Sequence, residues 1–117
     1  MKYVLLIYGK EDAVASMTPE ESQAYFQGYG KFEGDVQAKG IKTGGEPLQS
    51  VSTATTVRIR EGKAMVTDGP FAETKEQLAG FYVLECDNLD EAIAYAKAMP
   101  DVNYGAIEIR PVYDKGY

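Results

Sequence analysis

At 117 residues, with 44% hydrophobic and 26% charged side chains, the chain has the length and balance of a single globular domain over 1–117, not of a disordered segment. The net charge of −6, with its Lys and Arg scattered, leaves no footprint for phosphate backbones or anionic bilayers, so no nucleic acid and no membrane is expected as partner. Histidine is absent and Cys86 is the single cysteine; this excludes Ser–His and Cys–His nucleophile pairs, internal disulfides, and zinc or other transition-metal sites.

Acid–base chemistry in such a chain must use carboxylates, Lys, Tyr or a ligand, and no metal or cofactor is expected. The residues from Lys2 to Tyr8 read as a strand bounded by Gly9. The run is too short for a signal-peptide core of about 7–15 residues with its cleavage site, and Lys10-Glu11-Asp12 breaks it. With one cysteine, a reducing, cytoplasmic setting is expected. Thr18-Pro19-Glu20-Glu21 is a helix start, with Thr18 as N-cap, Pro at the first position and Glu21 closing a capping box. Tyr25, Tyr29, Phe32 and Val36 then form one apolar stripe, and Lys39-Gly40 ends the helix.

The chain is extended from Ile41 through Gly44-Gly45-Glu46-Pro47-Leu48. A hairpin is expected between residues 53–60 and 63–67, turning at Glu61-Gly62. Asp68-Gly69-Pro70-Phe71 breaks it, and the residues from Gly80 to Cys86 form the next strand. Asn88 caps a second helix with a stripe of Leu89, Ala92, Ile93 and Ala96, ended by Pro100. The residues from Ala106 to Arg110 make the last strand. The order, close to β-α-β-β-β-α-β, is an α+β split βαβ of the ferredoxin-like kind with an extra hairpin strand.

Two helices cover one face of such a sheet, yet the strands are apolar on both. Tyr3, Leu5 and Ile7 alternate with Val4, Leu6 and Tyr8, and Phe81 and Val83 with Tyr82, Leu84 and Cys86. An open face this apolar marks an interface, so a homodimer enclosing a space between two sheets is expected, a dimeric α+β barrel. Ile107 and Ile109 should face the helices, and Glu108 and Arg110 the shared space.

Gly28-Tyr29-Gly30-Lys31-Phe32-Glu33-Gly34 spells a near-match to a nucleotide fingerprint, but it lies mid-helix with no strand before it, so close packing is the expected reason for its glycines. Cys86 reads as a small core residue. The informative segment runs from Asp68 to Gln77, where Glu73, Lys75 and Glu76 follow an Asp-Gly-Pro turn just before a core strand. Asp68 is the expected catalytic group, a general base on a small polar or aromatic substrate. Glu46, Glu73 and Lys75 are expected ligand-binding residues, with Arg110 as an anion clamp. Strand parity also directs Tyr8 and Tyr82 toward the shared space.

Asp68-Gly69-Pro70-Phe71-Ala72-Glu73-Thr74-Lys75-Glu76 followed by Gly80-Phe81-Tyr82 resembles the hallmark of the DGPF branch of the YCII-related proteins. Lys2-Tyr3, Gly45-Glu46-Pro47-Leu48, Leu89-Asp90-Glu91-Ala92 and the run from Ile107 to Val112 are similar to the same family. The resemblance implies a bacterial protein with a ferredoxin-like fold and a dimeric α+β barrel. It also implies that some relatives lie beside extracytoplasmic-function sigma factors, which makes a non-catalytic regulatory, partner-binding role the alternative. A His-Asp pair proposed as the active site of the wider group leaves only Asp68 as a counterpart here. Any His-dependent lyase or dehydrochlorinase chemistry is thereby in doubt.

Overall fold

The run Tyr3-Val4-Leu5-Leu6-Ile7 becomes the central strand, β1 (Lys2–Gly9), in the computed structural model, which describes residues 1–113; the tail 114–117 of the expected domain lies outside the described residues. Helix α1 (Pro19–Ala38) follows, and both halves of its capping box form: Glu21 N–H donates to Thr18 Oγ1 at 3.1 Å, and Thr18 N–H to Glu21 Oε1 at 2.9 Å. Strands β2 (Lys42–Pro47), β3 (Thr55–Arg60), β4 (Lys63–Asp68) and β5 (Gln77–Glu85) precede helix α2 (Leu89–Lys97), capped by Asn88 as expected, and β6 (Ala106–Pro111) closes the order.

The four-stranded sheet runs β2-β5-β1-β6 with every neighbour antiparallel, the ferredoxin-like arrangement. Both helices pack on one face. Tyr3, Leu5, Ile7 and Leu84 meet Phe32, Val36, Ala92, Ala96 and Met99 there, with Ile107 and Ile109 packed against them. Each fully buried aliphatic side chain of this kind contributes about 1.5–3 kcal/mol. Cys86 is buried at the edge of this core, and burial pushes its thiol up, so it packs and does not attack. On the opposite face Val4, Leu6, Phe81 and Val83 stay half-buried, and Glu108 and Arg110 point there as expected.

Two expectations need correction. The β3–β4 hairpin adds no strand to the sheet but forms its own two-stranded ribbon. β2 already occupies the edge of β5, and the connections 48–54 and 69–76 carry the hairpin away. Its turn is as expected, with Glu61 and Gly62 both at positive φ. The glycines of α1 have unequal reasons: a Cβ at Gly28 would lie 2.6 Å from the Pro100 ring, whereas Gly30 and Gly34 have nothing within 4 Å. Close packing therefore accounts for Gly28 alone.

Candidate ligand-binding cleft

The helical spacing of Tyr25, Tyr29 and Glu33 places all three on one row of α1. That row runs along the core's margin, with Tyr29 packed against it. It overhangs the β2–β5 edge, and the gap is a cleft of about 540 Å³ whose lining includes Tyr25, Phe26, Tyr29, Tyr82, Glu46 and Gly45. Gly45 is required where it stands: its φ is +141°, and a Cβ there would meet Phe81 O at 2.6 Å.

Two carboxylates organise the cleft. Glu33 accepts from Tyr82 Oη at 2.7 Å and from Gln37 Nε2 at 2.9 Å, and forms an ion pair with Lys42. Lys42 reaches Glu33 because it pairs with Leu84 and so shares the helix side of the sheet; its ammonium also lies 5.3 Å from the Tyr82 ring centroid. Asp101, in the 3₁₀ turn after α2, accepts from Tyr25 Oη at 2.7 Å and Tyr29 Oη at 2.6 Å, both on Oδ2. Edge-to-face contacts between Tyr25 and Tyr29 at 5.3 Å, and between Phe32 and Tyr82 at 5.0 Å, fix the rings.

Burial first, and then the bonded carboxylates, push the phenols of Tyr25, Tyr29 and Tyr82 well above their ordinary value, so all three remain protonated donors at physiological pH. For Glu33, burial raises the carboxyl, but Lys42, Tyr82 and Gln37 together outweigh it and hold the group below its ordinary 4.5. Its stabilising effect is present above that value and is lost as pH falls through the depressed one. Glu33→Gln should therefore cost about 1–3 kcal/mol at pH 7, because Lys42 loses its counter-charge. In urea denaturation the gap should narrow at pH 3; a gap independent of pH would show that Glu33 acts through shape alone.

Of the candidate residues read from sequence, the structure places Tyr82 in this cleft and Glu46 on its β2 rim, opposite Phe81 and so on the other face from Tyr82. Tyr82 corrects the parity expectation. It pairs with Leu5 and so points beneath α1, away from the sheet's open face. Tyr8 follows Val4 and Leu6 on that open face, with Arg110 opposite Val4. Asp68 is exposed at the root of the hairpin, paired with Thr55, and Glu73 and Lys75 are exposed in the connection that follows. Glu33, Lys42, Asp101 and the hydroxyls of Tyr25 and Tyr29 were missed. The available signal was Glu33 itself, a carboxylate in register with an inward-facing helical stripe. Among the described residues, no three His, Cys, Asp or Glu side chains gather as metal ligands.

An uncharacterized protein of Rhizobium meliloti (strain 1021) is 37% identical over 118 residues, covering 96% of this chain and 92% of its own. Among solved structures, a 5-chloro-2-hydroxyhydroquinone dehydrochlorinase from Burkholderia phenoliruptrix AC1100, in complex with 2,5-dihydroxybenzoquinone, aligns over 97% of this chain and 94% of its own, with a TM-score of 0.54. At 12% identity that likeness is one of fold. The model of the YCII-related domain matches residues 1–115. The chain belongs to the YCII-related family.

Proposed function

We propose that this protein, as one domain, binds a small polar or aromatic molecule in the cleft between α1 and the β2–β5 edge. The observation carrying this reading is a concavity of about 540 Å³ with aromatic walls and a few convergent polar groups, the composition of a small-molecule site. Amide shift mapping with a panel of phenols, hydroquinones, aryl acids and aryl amines tests it. Changes should cluster at Phe26, Gly45, Ala79 and Gly80. Changes confined to Asp68, Arg110 and their neighbours would move the site elsewhere.

One observation favours a second reading, in which two copies enclose a site around Asp68 as a dimeric α+β barrel of the DGPF type. Val57, Ile59, Ala64 and Val66 share one face of the hairpin, exposed, and Asp68 lies at the root of that same face. In a dimer, Asp68 would serve as general base, Arg110 would orient an anionic group, and Tyr8, Glu73 and Lys75 would complete the surroundings. Asp68→Asn separates the two readings. It should leave the melting temperature within about 2 °C, since exposed substitutions change stability by less than about 0.5 kcal/mol. Ligand-induced shifts should survive it if the cleft is the site and vanish if Asp68 is.

A further inference from the structure

We infer that the cleft selects an organic cation, an aryl or alkyl amine in its ammonium form, over neutral or anionic molecules of the same shape; this rests on the cleft being the binding site. The first ground is charge. Glu33 and Asp101 line the space against a single ammonium among the described residues, Lys42, which Glu33 already neutralises. Asp101 is thus left without a cationic partner among the described residues of the cleft. An anionic ligand would meet uncompensated like charge.

The second ground is the hydrogen-bond inventory. The hydroxyl protons of Tyr25 and Tyr29 are both committed to Asp101, and that of Tyr82 to Glu33. What these groups can still offer is lone pairs, on the phenol oxygens and on the carboxylates. At these groups a ligand must therefore donate. An ammonium brings three donors and no acceptor, matching these phenol and carboxylate lone pairs.

The third ground is the aromatic lining. Tyr25, Phe26, Tyr29 and Tyr82 surround the space. Ring faces attract a cation within about 6 Å of their centroids, by about 0.5–1 kcal/mol at exposed sites and more when water is excluded. The Lys42 ammonium, 5.3 Å from the Tyr82 centroid, already makes this interaction within the chain. An aryl amine can also place its own ring against these walls.

The test uses three probes of one shape: tyramine, 2-(4-hydroxyphenyl)ethanol and 4-hydroxyphenylacetate, titrated calorimetrically at pH 7 into the intact protein. Tyramine should bind about tenfold more tightly than the alcohol, and the acid most weakly. Asp101→Asn, which keeps an acceptor for the phenols of Tyr25 and Tyr29, should weaken tyramine by a larger factor than the alcohol. Equal or tighter binding of the alcohol or the acid would overturn the cation preference while keeping the cleft as a site. Tyramine and the alcohol weakened equally by Asp101→Asn would overturn it as well. No heat and no shift from any of the three would remove both readings.

Discussion

Gly105→Ala is expected to lower the melting temperature by about 10–15 °C, the effect of roughly 3 kcal/mol on a domain of this size. Gly105 lies between the Asp101 turn and β6, where the chain crosses the end of β1. A Cβ there would sit 2.0 Å from Tyr8 O and 2.8 Å from Gly9 Cα. Both neighbours are main chain, so no rotamer change relieves the clash. The backbone must move, and with it the turn in which Gly105 N–H donates to Asp101 O at 2.8 Å. Asp101 carries two of the cleft's phenols, so ligand affinity should fall along with stability. Gly30→Ala provides the contrast: in an exposed helix interior with open space at its Cβ, it should gain up to about 1 kcal/mol. A Gly105→Ala protein melting like the parent would mean that β1 and the Asp101 turn are not in such close approach.

Val66→Asp is the second substitution with a large expected consequence. On the hairpin, Val57, Ile59 and Val66 are 63%, 66% and 68% exposed, the values of a ribbon with one apolar side on which, among the described residues, nothing packs. An isolated two-stranded hairpin is marginal in water, so such an arm gains its stability from what it lies on. A second copy fits: the ribbon's other face carries Arg58, Arg60 and Lys63, while the chain as a whole stands at −6. Its root is pinned, since Glu11 accepts from Ser50 Oγ and Val51 N–H, each at 2.9 Å. Light scattering after size exclusion should give a dimer for the parent and a monomer for Val66→Asp at equal concentration. Placing a carboxylate against an apolar partner costs about 3 kcal/mol, more than a hundredfold in dissociation constant. A monomeric parent would sink the dimer reading, and with it the shared site around Asp68.

The sequence carried the elements well because each was marked by local chemistry. The Thr18 and Asn88 caps, the Glu61-Gly62 turn and the alternation in β1 all act over a few residues, and all took the expected form. What depended on long-range geometry was less legible. Whether the hairpin joins the sheet is decided by which edges are already occupied, and nothing in residues 53–67 states that β2 sits beside β5. The side of the sheet to which Tyr82 points depends on its register with Leu5. The charged Asp68–Gln77 segment drew attention by composition, whereas the cleft's polar groups come from four separated places: Glu33 on α1, Lys42 on β2, Tyr82 on β5 and Asp101 beyond α2. Its polar contacts reach sequence separations as large as 76 residues, and no short window of sequence contains them.

The phenol–carboxylate pairs also give the molecule an optical property. The chain has nine tyrosines and no tryptophan, so its ultraviolet emission is tyrosine emission alone. A phenol whose proton is held by a carboxylate loses its excited state to proton transfer and is dim. Tyr25, Tyr29 and Tyr82 are all held this way. A guest that takes over Asp101 or Glu33 would free those rings to glow, so the unlabelled protein would signal the filling of its own cleft.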